Sequence, residues 1–187
     1  MLVRRAKIEI GENILILGAG SGVGSMGIQI AKMFGARVIT TAGSDWKLEK
    51  AKELGADEVI NYREVPSFSQ RVKELTDGSG VDLVLDCVGA EIWEENLLSM
   101  KQGGRLVITG VTSGTRTNMD LSILHGRPLH LMGSGGRSQR TFVDMMKVVN
   151  NGALGGVVGQ VFPLDQVAEA HRVMDRREFF GKLVIES

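Results

Sequence analysis

Cysteine is all but missing from this chain: Cys87 is the single one among 187 residues. One thiol cannot close an internal disulfide, so the fold must stand without a covalent staple, as suits a reducing cytosol. Net charge is missing as well, with 22 Lys and Arg against 22 Asp and Glu. A balanced surface has no long-range field to draw nucleic acid or anionic lipid, and partners of both classes are excluded. Nowhere does an apolar run approach the roughly 20 residues that span a bilayer. The opening stretch MLVRRAKIEIGE has too short an apolar segment for a secretory signal, so a cytoplasmic protein with no membrane partner is expected. Histidine is scarce: His125, His130 and His171 stand apart, and neither they nor Cys87 keep the spacing of metal ligands. No metal site is expected within the chain.

What the chain has in excess is glycine, 25 residues, about twice the usual ~7%. The glycines fall at the ends of apolar runs and not in a repeat, which places them at the turns of a regular fold. At this length one domain is expected, burying roughly 70% of its unfolded surface.

Short β-branched runs alternate with amphipathic stretches. Ile14–Leu17 is a continuous apolar run, and Val23–Phe34 sets Val23, Met26, Ile30, Met33 and Phe34 at helical spacing. Strands are predicted over Arg37–Thr41, Glu58–Asn61, Val81–Asp86, Arg105–Thr109 and Leu129–Met132, with helices over Trp46–Leu54, Ser67–Thr76 and Ile92–Met100. After the sixth strand, Phe142–Val149 and Val167–Met174 read as helices, and Val157–Phe162 and Leu183–Ile185 as extended segments. Runs buried on both faces and alternating with helices argue for an α/β protein with a parallel sheet covered on both sides. Two βαβαβ halves crossing over near Val81 make this a Rossmann-type doubly wound six-stranded sheet.

The first strand delivers GAGSGVG to the start of a helix. Free main-chain N–H groups and the positive end of the helix dipole favour a diphosphate there, on the Gly20–Gly24 bend. Glycine lets the backbone turn sharply and approach a ligand with no Cβ in the way. The strict G-x-G-x-x-G pattern fits only at Gly22-Val23-Gly24-Ser25-Met26-Gly27, one register late, so the strand-before, helix-after setting carries the signal. Sites for NAD place Asp or Glu about 20 residues on, at the end of the second strand, for the ribose hydroxyls. Here that position is Ala42, inside TTAGS. With no carboxylate to repel it, a 2′-phosphate is admitted; Ser44 offers a hydroxyl and Lys47 a positive charge. NADP(H) is the preferred coenzyme and NAD(H) the alternative. Asp45 sits within reach of the same pocket, and either Ser44 or Asp45 is expected to cap the helix beginning near Trp46. Lys47 also reads as an ordinary solvated helix lysine.

The segments GENILILGAGSGVGSMGIQIAKMFGARVITTAGS, KAKELGADEVINYRE, GVDLVLDCVGA and GGRLVITGVTSG, with the tail FPLDQVAEAHRVMDRREFFGKLVIES, run in that order from about Gly11 to Ile185. Together they resemble the cofactor domain of the medium-chain dehydrogenase/reductase superfamily, in its quinone-reductase-like and zinc-type alcohol dehydrogenase branches. The resemblance implies that Gly20, Ser21, Gly22 and Val23 form the turn on the pyrophosphate of a nicotinamide dinucleotide. It implies that Ser44, Lys47, Tyr62 and the tail residue Arg177 surround the adenosine 2′-phosphate. Cys87 and Val88 would line the adenosine and nicotinamide-ribose side, and Gly110, Val111 and Thr112 would lie against the nicotinamide. Each has a plainer alternative: Tyr62 as a half-buried strand-end aromatic, Cys87 as a small core residue, Arg177 as a surface charge beside Arg176.

Members of that superfamily carry an N-terminal catalytic domain ahead of this segment, which supplies the substrate pocket and any catalytic zinc. Residues 1–12 resemble the end of the helix between the domains, so residues 1–187 are expected to be a single dinucleotide-binding domain, half of an enzyme. The tail 157–187 packs toward the catalytic domain in relatives, and its apolar side chains are expected to lie partly uncovered. The whole enzyme would transfer hydride between nicotinamide and an alcohol or carbonyl, a quinone or an enone. No catalytic residue is assigned, because Tyr62 is the only tyrosine and Pro66 stands where a Tyr-x-x-x-Lys pair would need its lysine. Two other readings stay open: a stand-alone dinucleotide sensor or interaction module, and an S-adenosylmethionine methyltransferase, whose glycine turn LILGAGSG also resembles. Relatives often dimerise edge to edge at the sixth strand. Leu129–Met132, entered through Pro128, is a short apolar edge that invites a homodimer.

Overall fold

The computed structural model describes residues 1–135 and 138–187. Six strands, β1 (Asn13–Ile16), β2 (Arg37–Ala42), β3 (Glu58–Asn61), β4 (Val81–Asp86), β5 (Met100–Ile108) and β6 (His130–Gly133), form one sheet in the order β3-β2-β1-β4-β5-β6. All five pairings are parallel. The chain reverses its winding between β1 and β4, whose register pairs Leu15 with Val84.

Alternation along the strands separates two cores. Ile14, Ile16, Val38, Leu83 and Leu85 point to the face covered by helices α1 (Gly22–Met33) and α2 (Asp45–Glu53), against Ile28, Ala31 and Leu48. Leu15, Leu17, Ile39, Val84 and Leu106 point to the other, against α3 (Phe68–Leu75) and α4 (Trp93–Ser99) through Phe68, Val72 and Leu97. Full burial of each large aliphatic side chain contributes about 1.5–3 kcal/mol, and Ile14, Leu15 and Ile16 are all wholly buried. The helix α1 lies close on the sheet because a Cβ at Gly27 would come within 2.9 Å of Leu85 Cδ2.

Several boundaries differ from the sequence expectations. The strand β5 starts at Met100, where Arg105 was expected, with a register irregularity against β4 between Val81 and Leu83. Polar Lys101-Gln102 and two glycines hide that start from any periodicity. A short helix, α5 (Leu121–Gly126), capped by the Asp120 carboxylate on the Ser122 N–H, was not expected. Six residues are too few for a helical period to declare itself. The cap of α2 is a correction: Ser44 takes the N-cap position but makes no side-chain capping bond, the helix begins at Asp45, and the Asp45 carboxylate turns instead to Asn61.

Past the sheet come α6 (Gln139–Asn150), β7 (Val158–Pro163), α7 (Val167–Arg176) and β8 (Lys182–Glu186). The strands β7 and β8 pair in parallel as a separate two-stranded sheet over a small core of Phe162, Ala170 and Val173. This tail is clipped back onto the main domain. Gln29 exchanges two hydrogen bonds with Gly155, the Gly181 N–H donates to Gly20 O, and Phe180 is buried in the α1-side core. Phe142, Val143, Val158, Val161, Leu164 and Ile185 remain exposed. Among the described residues no helix is long and apolar enough to cross a membrane.

Candidate functional site

The carboxyl ends of β1 to β5 bring the predicted residues except Arg177 to one edge of the sheet, around the point where the strand order reverses, the usual place for a ligand in an open α/β sheet; Arg177 joins them from the end of α7. They fall into three connected groups.

The first is the glycine turn. Gly18, at φ 67°, reverses the chain, and the Ala19 N–H is held by Thr41 O at 2.9 Å. Ser21 caps α1, its hydroxyl accepting the Gly24 N–H at 2.9 Å. The N–H groups of Gly22 and Val23 open the helix, have no intrahelical acceptor, and find none elsewhere among the described residues. Over them lies a residue not foreseen from the sequence: a Cβ on Gly22 would meet Lys182 Cε at 2.1 Å and Nζ at 2.6 Å. Two amides without a partner among the described residues, a helix N-terminus and the exposed Lys182 ammonium concentrate positive charge at this turn, an arrangement of the kind that attracts anions.

The second group sits beyond β2. Ala42 occupies the position of the ribose carboxylate and is buried. Ser44 and Lys47 follow it, and the Tyr62 N–H donates to Ala42 O at 3.1 Å, which sets Tyr62 beside them. A Cβ on Gly43 would lie 2.6 Å from Tyr62 Oη and 3.0 Å from Arg63 Nε, so both side chains fold over that glycine. Lys47 Nζ donates to Arg177 O at 2.6 Å and stands 5.3 Å from the Trp46 ring centroid and 5.9 Å from that of Phe179. Burial pulls the Lys47 ammonium down in pKa, and the charges of Arg177 and Arg63 pull it further. None of these three cations is ion-paired to a carboxylate among the described residues. Like charges gathered this closely raise one another's free energy, and a dianion placed among them would lower it.

The third group joins the loops after β4 and β5. Thr112 Oγ1 donates to Cys87 O or Val88 O, each at 3.4 Å, and the Ser113 N–H donates to Val88 O at 2.9 Å. Gly110 packs so closely that a Cβ would fall 2.6 Å from Cys87 O. The buried Asp86 carboxylate accepts the Val88 and Gly89 N–H groups at 2.7 and 3.1 Å and so shapes this loop; burial pushes its pKa up against their pull. Cys87 Sγ donates to Leu17 O at 3.3 Å and lies 3.8 Å from Ser21 Oγ, linking this group to the first. Val111 is exposed beside it.

Residues 22–151 match the profile of the family described as zinc-binding dehydrogenase. The chain belongs to that family. It is 31% identical to a 2-haloacrylate reductase from Burkholderia, the match covering 99% of this chain and 58% of the relative. A solved NAD-dependent alcohol dehydrogenase superposes with a TM-score of 0.89 at 41% identity, over 97% of this chain and 52% of the other. The Escherichia coli quinone oxidoreductase, solved in complex with NADPH, superposes at 0.86 and 30% identity, over 100% of this chain and 60% of the other. The chain thus spans about half the length of the relatives it matches. It corresponds to the cofactor-binding part of a zinc-binding dehydrogenase, with the Rossmann-type sheet expected of it.

The family's description implies zinc. The thiol available here, Cys87, is pushed up in pKa by burial and by the Asp86 charge against the Ser21 hydroxyl, and its hydrogen is spent on Leu17 O. Among the described residues no three His, Cys, Asp or Glu side chains gather. This donor set does not fit zinc.

Sequence reasoning missed Arg63, Lys182 and Phe180. Arg63 had a signal, adjacency to Tyr62. Lys182 and Phe180 reach the glycine turn only through the fold of the tail.

Proposed function

We propose that this chain is the NADP(H)-binding domain of an oxidoreductase, with the diphosphate on the Gly20–Gly24 bend and the adenosine 2′-phosphate between Ser44, Lys47, Tyr62, Arg63 and Arg177. The observation that carries the reading is the trio Lys47, Arg63 and Arg177, with no carboxylate ion-paired to it among the described residues, beside a strand end where Ala42 stands in place of a carboxylate. When bound, the coenzyme supplies hydride chemistry. The chain's own residues bind and orient it: Lys182 and the Gly22 and Val23 amides hold the diphosphate, while Cys87, Val88 and Gly110–Thr112 flank the nicotinamide half. The relative solved with NADPH supports the phosphorylated form; the relative described as NAD-dependent supports NAD(H) as the second reading.

The parent enzyme's substrate is an alcohol or carbonyl, a quinone or an enone, met on a catalytic domain that covers the exposed apolar side chains of β7 and β8. Residues 1–187 alone bind coenzyme and turn over little or none. The unpaired outer edge of β6 joins two copies as a homodimer. Calorimetric titration with NADPH and NADH tests the central claim: NADPH binds more tightly by about tenfold or more, the worth of one or two charge-assisted hydrogen bonds. Equal affinities, or tighter NADH, would refute it. Robust reductase activity in the purified chain would refute the division of labour, and a strict monomer in light scattering at micromolar concentration would refute the dimer.

A further inference from the structure

Lys47, Arg63 and Arg177 meet near the end of β2 with no carboxylate ion-paired to them among the described residues, although Asp45 and Glu64 lie close to Lys47 and Arg63 in the chain. One amide accounts for this. Asn61 Nδ2 donates to Asp45 Oδ1 and to Glu64 Oε1, each at 2.9 Å. Asn61 Oδ1 accepts the Arg63 backbone N–H at 3.2 Å. Its partners dictate which end of the amide is which, since carboxylates only accept and a backbone N–H only donates. Both amide hydrogens of Asn61 are therefore committed to carboxylates, and its oxygen to the residue that carries the guanidinium over Gly43.

We propose that Asn61 is the positioning residue that keeps the cation cluster open for a phosphate dianion. It occupies Asp45 and Glu64, which would otherwise close onto Arg63 and Lys47, and it fixes the turn from which Arg63 reaches over Gly43. The proposal rests on the reading that this cluster takes the coenzyme 2′-phosphate, and it adds what makes that cluster available. Without the amide, each carboxylate gains a surface ion pair, a contact of modest strength. Two such contacts must be broken before a phosphate can enter, so apparent affinity falls by the fraction of time the cluster is closed. A ligand lacking the phosphate does not meet that cost.

The test is calorimetric titration of the purified chain with NADPH and with NADH. Asn61→Ala weakens NADPH by about five- to tenfold and leaves NADH within about twofold. Adding Asp45→Asn and Glu64→Gln in the Asn61→Ala background returns NADPH to within about twofold of the parent chain, because the competing charges are gone. Asn61→Asp keeps the shape and the acceptor for Arg63 but donates to neither carboxylate; it loses NADPH at least as far, with circular dichroism confirming the fold. An unchanged NADPH-to-NADH ratio in Asn61→Ala and Asn61→Asp overturns the proposal. So does an equal loss of both coenzymes that the added Asn and Gln do not rescue, the signature of a collapsed turn. A parent chain with no preference for NADPH is a different failure: it refutes the coenzyme reading itself and takes this inference with it.

Discussion

Two glycines of the same turn, two residues apart, are expected to respond to alanine in opposite ways. At Gly24 the added Cβ would lie 2.2 Å from Gly18 O, 2.8 Å from Gly18 C and 3.0 Å from Ala19 Cα. Carbon and a carbonyl oxygen come to rest at about 3.3–3.6 Å even in their closest favourable contacts. The helix α1 would have to move away from the turn by roughly an ångström, and it is held by Ile28 and Ala31, both wholly buried. Overpacking against backbone that cannot yield costs about 2–3 kcal/mol. For a chain of this size that lowers Tm by roughly 5–10 °C. At Gly22 the obstruction is Lys182 Cε at 2.1 Å, the far end of an exposed side chain that can swing aside. Gly22→Ala should therefore stay within about 0.5 kcal/mol of the parent in stability and lose coenzyme, since the Cβ displaces the ammonium and stands where a diphosphate approaches. Thermal denaturation with and without NADPH reads both effects. Equal Tm values for Gly24→Ala and the parent, or a Gly22→Ala chain that binds NADPH normally, would refute the reasoning.

Other expectations follow from single contacts. Lys182→Ala should weaken NADPH and NADH by the same factor in calorimetry, because the diphosphate is common to both; a selective loss of NADPH would place Lys182 on the wrong phosphate. Burial and two arginines hold the Lys47 pKa below its ordinary value, so the ammonium is lost earlier as pH rises. NADPH affinity should decline through that lowered pKa, and Lys47→Arg, which stays charged, should flatten the decline; a profile level up to the ordinary lysine range would count against it. Although burial pushes the Asp57 carboxyl up, the Lys32 ammonium and the Val38 N–H outweigh it and hold the pKa below the usual range. A depressed folded pKa gives stability that is present above the unfolded value and lost as pH falls through the folded one. Acid unfolding curves of Asp57→Asn should therefore converge with the parent at low pH and separate above it.

Much of this could be read along the chain because local rules govern it. Continuous apolar runs such as Ile14–Leu17 belong to strands buried on both faces, and the glycine bend after them needs backbone freedom wherever it is placed. The missing carboxylate at Ala42 is a property of one position counted from that bend. Where local signals fade, so did the reading. The polar start of β5 and the six residues of α5 carry no period, and the capping of α2 differs from expectation because the Asp45 side chain, on that helix, answers to Asn61 at the end of β3.

Amino-acid order by itself determined a strand, glycine bend and helix in succession, a sheet of six parallel strands and a second strand that ends without an acid. Tertiary structure alone decided which charges gather there. Lys182 reaches Gly22 because the Gly181 N–H is bonded to Gly20 O and Phe180 is buried beneath, and Lys47 meets Arg177 across 130 positions of sequence. Contacts at such separations are set by packing of the tail onto the domain, for which no spacing rule exists in the sequence. The cations of this site owe their company to that packing.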